Sequence, residues 1–169
     1  MIWIAIALIV YAADISIKWY IDGKYRNGQQ KEFFNGNLVV TKVYNYGAPL
    51  GKFKKSMDNV IKYSEAVLGA LIVLFLCLLP VKKRKLEKFA LALIIGGGAQ
   101  NLYDRSVKKR VLDYLTFPKL PGKLKDIAYN LSDAAIFLVT ILITLAGFKP
   151  KKKNSENRKA KAVPETGDK

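Results

Sequence analysis

Four apolar runs separated by blocks of charge constrain this 169-residue chain more than anything else in it. They extend from Ile2 to about Tyr20, from about Ser64 to Leu79, from about Phe89 to Tyr103 and from Ile127 to Phe148. A helix that crosses a bilayer needs about 20 mostly apolar residues, with a range of roughly 17–25. The second and third runs reach that length only with their flanks. Hydrophobic residues make up 51% of the chain, and its charges lie between the runs instead of alternating with apolar positions. This distribution predicts a multi-pass membrane protein rather than a soluble domain. The expected fold is a membrane all-α bundle of four transmembrane helices over residues 1–148.

The first run also resembles a cleaved leader, given Ala12-Ala13. It has no basic residue ahead of its apolar core and stays apolar through Ile21, which favours a retained helix. The first loop, Asp22 to Lys62, is too long for a simple turn. Its Asn37-Leu38-Val39-Val40-Thr41-Lys42-Val43-Tyr44 segment is β-branched and aromatic, and the breakers Gly47 and Gly51 follow. This composition predicts strands and a hairpin, a small extracytoplasmic β-sheet lying on the membrane surface. Residues 149–169 are polar, charged and poor in large apolar side chains, and are expected to form a disordered tail.

Lysine and arginine total 29 against 13 acidic residues, a formal charge of +16. Much of this charge borders apolar runs, in Lys82-Lys83-Arg84-Lys85 and in Lys149 to Lys153. Anionic lipid head groups are simpler partners for such residues than nucleic acid, which is not expected to bind. The dense loop from Lys82 to Lys88 and the basic tail place both termini in the cytoplasm. The other two loops are basic as well, with Lys52, Lys54 and Lys55 in one and Lys108, Lys109 and Arg110 in the other. Histidine is absent, which removes Ser-His and Cys-His catalysis and the common histidine metal sites. Cys77 is the only cysteine and sits inside an apolar run as a packing residue. No metal or organic cofactor is expected.

Polar residues inside the apolar runs carry the remaining information. Asp14 and Lys18 are four apart on one helix face and can pair. Asn101, Asp104 and Arg105 share a face at the end of the third run, and Asn130 and Asp133 stand three apart at the start of the fourth. A carboxylate near the membrane is costly unless it faces a partner or water, so Asp133 is a functional candidate. Asp113, in Val111-Leu112-Asp113-Tyr114, ends the polar segment that leaves the third run. Alone it reads equally as an exposed loop carboxylate. Together Asp113 and Asp133 offer an aspartic-protease pair. Neighbouring carboxylates do not both ionise easily, so one keeps a proton. The ionised member takes a proton from water, which attacks a peptide carbonyl, while the protonated member donates a hydrogen bond to that carbonyl. The pair titrates as a unit, so neither aspartate is assignable as acid or base.

These residues fall into a known pattern. The chain resembles lipoprotein signal peptidase (signal peptidase II), an aspartyl endopeptidase family with four membrane helices, from Asp14 to about Ile136. The family's Asp-Gln-x-x-Lys appears as Asp14-Ile15-Ser16-Ile17-Lys18, and its Asn-x-Gly-Ala-Ala-Phe as Asn45-Tyr46-Gly47-Ala48-Pro49-Leu50. Its Gly-Gly-Ala-x-Gly-Asn-x-x-Asp-Arg appears as Gly96 to Arg105, with Gln100 in place of the glycine before Asn101. Its Val-x-Asp-Phe appears as Val111 to Tyr114, and its Phe-Asn-x-Ala-Asp as Tyr129 to Asp133, with Ser132 in place of alanine.

The resemblance implies that Asp113 and Asp133 are the catalytic pair. It implies that Asn45, Gly47, Asn101, Arg105 and Asn130 bind substrate, with Asp14, Lys18 and Asp104 in support. The implied substrate is a diacylglyceryl-modified prolipoprotein, cut just before the lipidated cysteine in the bacterial cytoplasmic membrane. The active site would lie near the extracytoplasmic face, the sheet would cradle the lipopeptide, and globomycin would inhibit. The enzyme would act as a monomer. Pro49, Leu50, Gln100 and Ser132 depart from the pattern and bear on pocket shape. Two other readings remain open: a non-cleaving membrane protein that binds lipidated peptides, and an ion or proton pathway through Asp14, Asp104 and Asp133.

Overall fold

The computed structural model describes residues 1–46 and 57–147. Among them are four long helices, α1 (Ile2–Lys24), α2 (Met57–Leu78), α3 (Lys85–Tyr103) and α4 (Leu131–Gly147). Three strands, β1 (Gln30–Phe33), β2 (Leu38–Asn45) and β3 (Val111–Thr116), form an antiparallel sheet in the order β1-β2-β3. A single π-helical turn, Asp104–Lys108, follows α3, and a short 3-10 helix, Gly122–Asp126, precedes α4. The expected tail and the Gly47 and Gly51 breakers lie outside the described residues.

Helix α3 packs against α1, α2 and α4 and so forms the centre of the bundle. Its glycines make this possible. A Cβ on Gly96 would sit 2.4 Å from the carbonyl oxygen of Ala7 in α1, and one on Gly97 would sit 3.0 Å from Cα of Ser132 in α4. Two backbones approach α3 closer than any side chain allows, the usual device for packing helices in lipid. Ala90, Ala92, Leu91 and Leu93 of α3 complete the contacts with Ala7 and Phe75 on one side and Ala135 and Val139 on the other. Large apolar side chains point outward instead, among them Leu8, Ile9, Val67, Val73, Leu76 and Phe137. Helices α1 and α2 are long and apolar enough to cross a bilayer, and α4 carries a shorter apolar segment, Leu131–Leu142.

Several boundaries differ from those read in the sequence. Helix α2 starts at Met57 and takes in polar Asp58 and Lys62. The basic block Lys82–Lys88 is not all loop: α3 starts at Lys85, and the buried Lys88 ammonium donates to the carbonyl of Leu79, capping the end of α2. The apolar run from Ile127 begins as extended chain, because Tyr129 bridges Leu115 of β3, and α4 begins only at Leu131. The hairpin turn falls at Phe34–Asn37, where Phe34, Asn35 and Gly36 all have positive φ. Its partner strand β1 has no apolar alternation to mark it, being exposed throughout and polar except for Phe33.

All three strands gather at one end of the bundle, since β1 follows α1, and β3 lies between α3 and α4. Ile21 of α1 packs against Leu112 and Tyr114 of β3, tying the sheet to that end. The α2–α3 connection and the amino terminus lie at the other end.

Candidate active site

Asp113 stands in the middle of β3, opposite Val43 of β2, and is only 4% exposed. The exposed loop carboxylate considered from sequence is thus a buried strand residue. Its Oδ2 accepts from the Asn45 amide at 3.1 Å, and its Oδ1 from the Asn130 amide at 2.7 Å. Burial pushes its carboxyl up to about 6, with the charge of Asp133 adding to the rise. The two amides and Lys18 act in the opposite direction.

Asp133 is the third residue of α4, and Asn130 caps that helix. The Asn130 side chain accepts from the Asp133 backbone N–H at 3.0 Å, while the Asp133 carboxylate accepts from the Asn130 backbone N–H at 3.1 Å. This reciprocal pair is a capping box, which satisfies two N–H groups that a helix start leaves open. It also fixes a carboxylate where the helix dipole favours negative charge. Asn130 therefore lies just outside the helix rather than within its first turn, as the sequence reading had it.

Two asparagines join the carboxylates. The Asn130 amide reaches both Asp113 and, at 3.2 Å, the side-chain oxygen of Asn101. The Asn101 amide donates in turn to Asp133 at 3.3 Å. Asn45, Asn101, Asn130, Asp113 and Asp133 therefore form one cluster, drawn from β2, α3, the α4 cap, β3 and α4.

Behind this cluster lies a buried ion pair. Lys18 Nζ is 2.8 Å from Asp14 and 3.0 Å from Asp104, and donates to Asn101 at 2.9 Å and to the side-chain oxygen of Gln100. Asp104 also pairs with Lys108 at 2.9 Å. The face shared by Asn101 and Asp104 is turned inward onto Lys18. Arg105, in the π-helical turn, has no hydrogen-bond or ion-pair partner among the described residues. Gly47 lies outside the described residues.

Three further side chains contribute bonds that the sequence did not indicate: Tyr114, and the pattern departures Ser132 and Gln100. The Tyr114 hydroxyl donates to Asp14 at 2.8 Å and accepts from the Leu131 N–H at 3.0 Å. Burial and the Asp14 carboxylate push its ionisation upward, so it stays a donor. Ser132 donates to the other Asp14 oxygen at 2.6 Å. Gln100, fully buried, completes the set. The available signal was position: each is a polar residue next in sequence to Asp113, Asp133 or Asn101.

Residues 6–149 match the family model described as signal peptidase (SPase) II. The chain belongs to the signal peptidase II family. Curated relatives agree with that membership. A lipoprotein signal peptidase of Vibrio campbellii is 32% identical over 163 residues, covering 90% of this chain and 91% of the relative. One from Francisella tularensis subsp. novicida is 27% identical over 152 residues, covering 88% and 92%. The fold is similar to that of a bacterial membrane enzyme solved by the in meso method at 1.9 Å, with a TM-score of 0.75, 24% identity and coverage of 88% of this chain and 93% of that one. A second such structure, at 2.3 Å, gives 0.73 with 22% identity, covering 99% and 94%. As a signal peptidase II family member with long apolar helices, the chain is a membrane-embedded peptidase.

Proposed function

We propose that this chain is an intramembrane aspartyl endopeptidase that removes signal peptides from diacylglyceryl-modified bacterial prolipoproteins, cutting just before the lipidated cysteine. One observation carries the mechanism: Asp113 and Asp133 come from different elements, and Asn130 hydrogen-bonds both. Structural carboxylates seldom need to be housed together, whereas a pair sharing a proton supplies both roles that peptide hydrolysis requires. The ionised aspartate takes a proton from water as its oxygen bonds to the peptide carbon. The protonated one donates to the carbonyl oxygen, and collapse of the tetrahedral intermediate breaks the C–N bond as the amine gains a proton.

Asn45, Asn101 and Asn130 hold the pair and present amide groups to substrate backbone. Arg105, with no hydrogen bond or ion pair among the described residues, is suited to a substrate carbonyl. Gly47 is assigned to substrate binding on the family pattern alone. Asp14, Lys18 and Asp104 support the site from behind. No cofactor takes part.

The peptidase domain spans residues 1–148 with four crossings, α1 to α4, and 149–169 forms a cytoplasmic tail. The sheet and dyad face the extracytoplasmic side of the cytoplasmic membrane, and both termini face the cytoplasm. This orientation is supported by the dense basic loop at the end of the bundle remote from the sheet. Anionic head groups contact that loop and the tail, and the protein acts as a monomer.

The test is to incubate the detergent-purified protein with a diacylglyceryl-modified prolipoprotein peptide and to weigh the products. A new amino terminus at the lipidated cysteine is expected. Binding of the intact lipopeptide without cleavage would contradict the enzyme and favour a binding protein.

A further inference from the structure

The Asp14–Lys18 pair has far more partners than a pair that merely orients a helix requires. Asp14 is 0% and Lys18 1% exposed. Both oxygens of Asp14 accept hydroxyl protons, one from Tyr114 at 2.8 Å and the other from Ser132 at 2.6 Å. Around the Lys18 ammonium, with its three protons, stand four acceptors: Asp14, Gln100, Asn101 and Asp104.

The origin of three of these partners is informative. Gln100 precedes Asn101, Tyr114 follows Asp113 and Ser132 precedes Asp133. Neighbouring side chains point to opposite faces of a strand and lie well apart around a helix. The site residues therefore turn toward one another, while their neighbours reach back to a single ion pair on α1. At the same three positions the family pattern quoted above has glycine, phenylalanine and alanine, none of which makes these bonds.

We propose that Gln100, Tyr114 and Ser132 are positioning residues that clamp the Asp14–Lys18 pair and, through it, set the relative placement of Asn101, Asp113 and Asp133. The inference rests on the aspartyl-dyad reading and extends it. Each link is a contact. Lys18 holds the oxygen of Asn101, whose amide faces Asp133. Tyr114 joins the strand carrying Asp113 to the first N–H of α4 and to α1. Ser132 pins the same helical turn to α1. A displacement of about 1 Å at a reacting group can cost 10²-fold in rate.

The experiment compares wild type with Tyr114→Phe, Ser132→Ala, their double variant and Gln100→Leu, all as full chains in detergent on the diacylglyceryl-modified prolipoprotein peptide. Rates are taken per folded, monodisperse molecule. Each single variant is expected to lose about tenfold or more in kcat with KM within about twofold, and a limb of the kcat pH profile moves. The two hydroxyl deletions act on one carboxylate, so their combined loss should differ from the product of the single losses.

An unchanged kcat and pH profile in all variants would overturn the proposal, as would a change confined to KM or a loss that merely follows the folded fraction. A folded wild type that does not cleave would overturn the dyad reading and this proposal with it. An active wild type with insensitive variants would overturn the positioning role alone.

Discussion

At the scale of single residues, Asp113 is a buried carboxylate whose surroundings favour its protonated form. Its carboxyl lies near 6 where an aspartate ordinarily lies near 3.8, because of burial and then the Asp133 charge. The folded protein binds that proton more tightly than the unfolded chain does. Asp113 therefore stabilises the fold less as pH rises from about 4 to 6, by at most roughly 3 kcal/mol. Across that window wild type should lose unfolding temperature relative to Asp113→Asn. Parallel curves for the two proteins would show that Asp113 titrates normally. Lys18 belongs to the same scale. Lys18→Met leaves Asp14 and Asp104 buried without their shared cation and should cost about 3–5 kcal/mol. Thermal unfolding in detergent checks this, and a wild-type midpoint would contradict it.

At the scale of elements, legibility in the sequence followed the strength of local signals. The α1 ion pair was readable because i, i+4 spacing on a helix has one geometric meaning, and the pair is present at 2.8 Å. Strand β3 was not readable. Val111-Leu112-Asp113-Tyr114 offers only a short apolar pattern, and its partners are β2, far away in sequence, and the isolated bridge to Tyr129. The start of α4 was hidden by apolar Ile127 and Ala128, which continue the hydropathy of the helix without its hydrogen bonds. The inward turn of Gln100, Tyr114 and Ser132 depends on α1, which no spacing within their own segments encodes.

The glycines of α3 test the packing itself. Gly96→Ala drives a methyl group into the Ala7 carbonyl and should destabilise the bundle by about 1–3 kcal/mol. Gly98→Ala meets only Leu68 at ordinary contact distance and should be neutral or slightly stabilising, since it removes a flexible helical residue. Equal effects of the two on the unfolding midpoint would contradict the close α1–α3 approach.

At the scale of the whole molecule, the sheet and the carboxylate cluster occupy one end, and the basic connection between α2 and α3 occupies the other. This polarity suits an enzyme that meets its substrate at the outer membrane surface while Lys and Arg hold the opposite end in the cytoplasm. In a Cys77→Ser background, Lys83→Cys should react with an impermeant thiol reagent only from the cytoplasmic side, and Lys123→Cys only from outside. The reverse labelling would invert the proposed orientation.

The central claim, that Asp113 and Asp133 act as one catalytic unit, is tested most directly by kcat for Asp113→Asn, Asp133→Asn and the double variant on a diacylglyceryl-modified prolipoprotein. Each single variant should lose at least about 10³-fold, and the double should be no worse than the poorer single, since residues of one unit are not additive. Substantial cleavage by either single variant, or a double-variant loss equal to the product of the two, would contradict a shared dyad.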